Sequence, residues 1–148
     1  MRIRAALDRD AAAISAVVVA ALRQSNARDY PAEVIEAVAA AFAPEAVRGQ
    51  IARRRVFLAE IDGQVVGTAA LEGDVVRSVF VAPDRQGQGI GRALMAMLED
   101  TARAAGETAL RVPASVTAEG FYARLGYQAQ REVVQGAERT IVMARRLD

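Results

Sequence analysis

Val79-Phe80-Val81-Ala82-Pro83-Asp84-Arg85-Gln86-Gly87-Gln88-Gly89-Ile90-Gly91-Arg92-Ala93-Leu94-Met95 is the stretch on which the fold of this chain turns. Its first residues close a nearly all-apolar run from Val75 to Val81, which reads as a buried strand that Pro83 ends. Its last residues open a helical pattern from about Gly89 to Ala105. Ile90, Leu94, Met97, Leu98 and Thr101 share one face of it, and Gly106 closes it. Between strand and helix lie three glycines within five residues.

That junction has a definite chemistry. The first N–H groups of a helix lack internal partners, and the helix dipole leaves about half a positive charge there. Glycines let a backbone approach a diphosphate without Cβ atoms intervening. Arg85 and Arg92 can add charge, so the segment can cradle a pyrophosphate. It does not fit two familiar nucleotide loops. A Walker loop needs Gly-Lys-Ser/Thr, and the chain has no lysine; a dinucleotide fingerprint needs glycine where Arg92 stands. By itself the loop is also compatible with a plain chain reversal.

The rest of the chain alternates between two periods. Arg2-Ile3-Arg4 is β-like. Asp8 or Asp10 then caps a helix with Ile14, Val17, Val18, Ala21 and Leu22 on one face. Asn26 to Pro31 is a loop, and Val34, Ile35, Val38 and Phe42 mark a second helix that Pro44 ends or restarts. Val56 to Ile61 and Gln64 to Leu71 form a hairpin about Asp62-Gly63, and Glu72-Gly73-Asp74 turns the chain again. After the long helix come a strand at Ala109 to Val112 and a short helix from about Thr117 to Leu125. A final hairpin, Tyr127 to Val134 and Arg139 to Arg145, turns at Gln135-Gly136. The crossover through the long helix makes the strands at Val75 to Val81 and Ala109 to Val112 parallel neighbours.

Composition narrows the chemistry. With 148 residues, 53% hydrophobic and 25% charged, the chain has the balance of one globular domain spanning 1–148. The net charge of +1 and the lack of basic runs beside aromatics argue against a nucleic-acid partner. Arg53-Arg54-Arg55 is the one dense basic run and reads as a solvated helix end. No apolar run approaches the ~20 residues of a membrane span, and acidic residues at Asp8 and Asp10 interrupt any leader, so a cytoplasmic location is expected. The absence of Cys and His removes thiolate, imidazole and triad chemistry and leaves no metal site to expect. All 19 basic residues are arginine and alanine is abundant, the codon bias of a GC-rich, bacterial genome.

The quoted stretch resembles the signature of the GCN5-related N-acetyltransferase (GNAT) family, whose pattern Arg/Gln-x-x-Gly-x-Gly/Ala is matched by Gln86, Gly89 and Gly91. Ala114-Ser115-Val116-Thr117-Ala118-Glu119-Gly120-Phe121-Tyr122-Ala123-Arg124-Leu125-Gly126-Tyr127 resembles the family's second segment, which ends Phe-Tyr-x-x-x-Gly-Phe/Tyr. The two occur in the family's order, and the resemblance spans nearly the whole chain. It implies an α+β, three-layer fold: a mixed, mostly antiparallel sheet, a central parallel pair splayed at the cofactor site, and helices on both faces.

The resemblance also implies a function, transfer of an acetyl group from acetyl-CoA to a primary amine of a small molecule or peptide. Val79, Phe80 and Val81 would lie along the pantetheine. Gln86, Gly87, Gln88, Gly89, Ile90, Gly91 and Arg92 would hold the pyrophosphate. Ser115 would contact the cofactor or cap the next helix, or do both. Pro113, which lacks a ladder donor, fits either the splay or a simple strand end. A backbone N–H near Val79 would serve as oxyanion donor. Tyr122 matches the family's general acid, and a phenol of pKa ~10 can reprotonate a thiolate. Many members carry a glutamate base where Val75 stands, so Glu72, Asp74 and a relayed water remain open. Tyr30 and Arg28 fall where acceptors are recognised. A homodimer is compatible with this reading, as is a CoA-binding sensor that has lost turnover.

Overall fold

The computed structural model describes all of residues 1–148. Seven strands form one sheet in the order β1-β2-β3-β4-β5-β7-β6. They are β1 (Arg2–Ala5), β2 (Arg55–Ile61), β3 (Gln64–Glu72), β4 (Val75–Val81), β5 (Ala109–Ser115), β6 (Gln128–Gln135) and β7 (Glu138–Arg146). Every neighbouring pair is antiparallel except β4 and β5, which are parallel. The helices are α1 (Ala11–Gln24), α2 (Ala32–Ala40), α3 (Pro44–Arg53), α4 (Ile90–Ala104) and α5 (Glu119–Arg124).

Two apolar layers sandwich the sheet, and strand alternation decides which residue enters which. On β2, Val56 and Leu58 pack beneath α1, α2 and α3 with Ile14, Val18, Leu22, Ile35 and Val47. Phe57 and Ala59 point to the other face, where α4 brings Ile90, Leu94, Met95, Leu98 and Ala102. The apolar stripe of α4 is therefore centred one position from the sequence reading. Met95 and Ala102 are buried, whereas Met97 and Thr101 are half-buried.

The caps follow the sequence with one reversal. Gly106 sits at φ +88°. Its N–H bonds to Arg103 O, and the next N–H, of Glu107, bonds to Ala102 O, which satisfies the last carbonyls of α4. Asp10, expected to cap α1, instead reaches backwards. Its carboxylate accepts the Leu7 N–H at 2.7 Å and pairs with Arg4 at 2.9 Å. The competing cation on β1 wins the carboxylate, and those bonds with Arg4 hold it well below the usual aspartate range.

Candidate active site

β4 and β5 share a single rung, Val75 with Arg111, where the Arg111 N–H bonds to Asp74 O at 3.0 Å. Beyond it the strands part. β5 does not stop at Val112 as its sequence suggested, but pairs with β7 as far as Ser115 with Thr140. Pro113 belongs to this extended strand. Backbone groups alternate sides along a strand, so Pro113 faces the same side as Arg111, towards β4. The missing donor thus lies on the side from which β4 has withdrawn.

A bulge sets the course of β4 at the opening. Ala69 on β3 stands opposite both Ser78 and Val79, because the register jumps from Thr68–Phe80 to Ala70–Arg77. Ser78 adopts φ +53°, a left-handed conformation costing about 1–2 kcal/mol without glycine. The bulge also switches the alternation. Phe80 packs edge-on to Phe42 of the loop after α2, centroids 5.8 Å apart, while Val79 and Val81 lie against the α4 layer.

The parted strands open a cleft of about 900 Å³. Of the residues expected to hold a cofactor, Val79, Phe80, Val81, Gln86, Gly87, Gly89, Ile90, Gly91, Arg92, Ser115 and Tyr122 line it; Gln88 does not. Gly87 and Gly89 adopt φ +79° and +81°, and a Cβ on either would meet nothing within 4 Å. These glycines are needed for backbone conformation, and space beside them is open. The first intrahelical bond at the start of α4 runs from the Ala93 N–H to Gly89 O, and no side chain caps the helix. The N–H groups of Ile90, Gly91 and Arg92 therefore precede the helical ladder, the arrangement a diphosphate needs. Gly91 is held from behind, since a Cβ there would lie 3.1 Å from the Phe121 ring.

Gln86 has a second engagement. Its carboxamide N–H donates to Ser25 Oγ at 3.1 Å, which ties the loop to the end of α1. Its side chain is thus a brace in this structure rather than a free anion ligand.

Tyr122 is buried in the cleft wall, edge-on to Phe121 and Tyr127, and makes no hydrogen bond through its hydroxyl to the rest of the chain. Burial pushes its phenol well above the ordinary tyrosine range, so it stays protonated. Behind it is a network that sequence reasoning missed. The Tyr127 hydroxyl donates to Glu99 at 2.8 Å, and Arg145 pairs with the same carboxylate at 2.9 Å. Ser115 Oγ accepts the Ala118 N–H at 3.2 Å in the turn before α5, but the N-cap of that helix is Ala118, with no side-chain cap, so Ser115 is not the helix cap its sequence suggested.

Tyr30 and Arg28 both line the cleft. The Tyr30 hydroxyl donates to Arg139 O at 2.6 Å and accepts the Val116 N–H at 2.8 Å. Thr117 adds a bond to Asp29 at 2.7 Å. The α1–α2 loop is therefore strapped across to the β5–α5 connection and β7. Arg28 turns back to Ser25 O at 3.2 Å.

Neither carboxylate considered as a base lines the cleft. Asp74 pairs with Arg111 at 3.2 Å. Glu72 is shared by Arg54 at 3.7 Å and Arg77 at 3.4 Å. Arg54 corrects the reading of its basic run as solvated, because its side chain is only 17% exposed and lines the cleft, as does Arg77. Burial lowers the Arg54 guanidinium's affinity for its proton, and Arg77 and Arg53 add to that against the opposing pull of Glu72. Around the whole cleft seven arginines (28, 54, 77, 85, 92, 124 and 139) face one acidic residue, Glu138. Such walls favour a polyanionic ligand.

A splayed parallel strand pair, a glycine-lined helix start and an arginine-walled cleft together form a site for a polyanionic ligand, and comparison with known proteins gives the family. The GNAT acetyltransferase domain profile matches residues 26–144. A GCN5-related N-acetyltransferase structure from Rhodopseudomonas palustris, described also as an aminotransferase of class II, is 32% identical. It superposes with TM-score 0.93 over 99% of this chain and 95% of that one. YncA of Salmonella typhimurium, solved with its cofactor acetyl-CoA, is 26% identical with TM-score 0.69, covering 99% and 94%. The PaiA N-acetyltransferase of Thermoplasma acidophilum, in complex with coenzyme A, shares the fold at 18% identity and TM-score 0.86, covering 98% of each chain. Among curated proteins none is significantly similar in sequence. The chain belongs to the GNAT acetyltransferase family.

Proposed function

We propose that this protein transfers an acetyl group from acetyl-CoA to a primary amine of a small molecule or peptide, by direct attack within the cleft. The observation that carries this reading is the cleft itself, with a glycine-lined helix start at one end and a buried, protonated tyrosine in its wall. Acetyl-CoA brings the activated thioester. The open N–H groups of Ile90, Gly91 and Arg92, with Arg85 and Arg92 beside them, suit its diphosphate. The unpaired edge of β4 after the bulge suits an amide-bearing arm, and a backbone N–H near Val79 is the natural oxyanion donor. Tyr122 is the proton donor to the leaving thiolate.

The amine's proton needs another route, since Glu72 and Asp74 are turned away from the cleft. Capture of the neutral amine, or loss of its proton to water in the cleft, fits the walls better than a carboxylate base. The 148 residues would act as one domain. CoA release with a panel of amines, amino acids and peptides, compared with Tyr122→Phe, tests the reading. The scarcity of acidic residues on the wall favours one alternative, a CoA-binding sensor. Stabilisation by acetyl-CoA without CoA release for any amine would establish that instead.

A further inference from the structure

Two arginines in the cleft have no part in the chemistry just described. Arg54 follows α3 directly before β2, whose first residue, Arg55, pairs with Leu71; Arg77 precedes the Ser78 bulge on β4. Glu72 pairs with Val75 at that same end, whereas Val81, beside the glycine loop, pairs with Gly67 at the other. The arginines therefore stand beyond the bulge, away from the loop where Arg85 and Arg92 meet a diphosphate. With the diphosphate at the loop end, as proposed above, this end is left for the acceptor.

Their charge is incompletely matched. Glu72 is the one carboxylate within ion-pair distance of either, so two guanidinium groups share a single negative charge. Glu72 itself is off the cleft wall while both arginines are on it. The buried Nε of each faces the same Glu72 oxygen, at 3.7 and 3.4 Å, without completing a hydrogen bond to it, and neither guanidinium has another hydrogen-bond partner. Buried guanidinium groups satisfied this weakly are costly, and a guanidinium meets a carboxylate oxygen pair in fork geometry. The residual charge of one matches a carboxylate better than a phosphate, which carries nearly two.

We infer that the acceptor amine also bears a carboxylate, held by Arg54 and Arg77 at the end of the cleft remote from the glycine loop. This rests on the acetyl-transfer reading for the word acceptor, but the anion site can be tested apart from turnover. The CoA-loaded protein is titrated calorimetrically with matched series, α- and ω-amino acids against their carboxamides and against aminoalkylphosphonates of equal length. The best-fitting acid should bind about tenfold or more tightly than its amide. Arg77→Gln and Arg54→Lys should collapse that ratio while the affinity for CoA holds. Lack of preference for acids over amides in every pair overturns the proposal. So does a preference that survives both substitutions, or tighter binding of the phosphonates. Should Arg54→Lys not fold, Arg77→Gln decides with the wild-type series. Acid-selective binding without CoA release from acetyl-CoA would sink the transfer reading and leave the anion site. Equal turnover of acids and amides would do the reverse.

Discussion

Tyr30 accepts the backbone N–H of Val116 at 2.8 Å, a bond that joins segments 86 residues apart at the wall of the cleft. The same hydroxyl donates to Arg139 O, so one phenol fastens three segments. Tyr30→Phe should lower stability by about 1–2 kcal/mol, read by urea unfolding. On the proposed reading of Tyr30 as an acceptor-pocket residue, KM for the amine should rise more than KM for acetyl-CoA. Equal rises in both would show that the loop serves the cofactor end instead.

Gly89→Ala isolates backbone conformation from packing. At φ +81° an alanine costs about 1–2 kcal/mol, yet its Cβ would meet nothing within 4 Å. The variant should fold, melt at a lower temperature and bind acetyl-CoA more weakly. Calorimetry that finds the affinity unchanged would remove the loop from the cofactor site.

Tyr122→Phe should lower kcat by about a hundredfold or more, with KM for acetyl-CoA little changed. A pH effect on stability accompanies it. Burial raises the pKa of Tyr122 above the ordinary value, as burial and the Glu99 carboxylate do for Tyr127. A raised folded-state value means that the stability is fully present below the unfolded pKa of about 10 and is lost as pH rises above it. Urea midpoints should hold between pH 8 and 9.5 and drop from pH 10 upwards. In Tyr122→Phe the drop should be smaller.

Asp74→Asn should leave kcat essentially unchanged, because the carboxylate pairs with Arg111 in a turn outside the cleft. A large fall in kcat, with the fold intact by circular dichroism, would restore it as a base. Glu72→Gln should behave differently. Freeing Arg54 and Arg77 from their shared partner should lower KM for a carboxylate-bearing amine.

Local pattern carried the elements well. The apolar rhythm of α1, the Asp62-Gly63 hairpin and the Gly106 helix stop each depend on residues a few positions apart, and each stands where the pattern placed it. The crossover rule likewise put β4 beside β5. What depended on distant neighbours was illegible. Ser78 in a left-handed conformation has no local mark, since the bulge is a matter of its register against β3. Nothing in Arg53-Arg54-Arg55 says that the middle residue turns inward, and Asp10 was lost as a cap to Arg4 on β1. Gln86 matched a motif by type and Gln88 lay within it, but the sequence did not say that Gln86 would line the cleft braced on Ser25 while Gln88 stays off its wall.

The lone rung between Val75 and Arg111 makes the sheet two half-sheets, β1 to β4 and β5 to β7, with α4 passing from one to the other. Below that rung the amides on the facing edges have no strand to shield them. A substrate arm that supplies amide groups there would act as a removable strand, and the tertiary structure would be complete only while it is present. Resistance of this chain to proteolysis would then follow the supply of its own substrate by mass action. Amides along the seam after Ser78 would be the first to exchange their hydrogens in the empty protein and the most slowed in the loaded one.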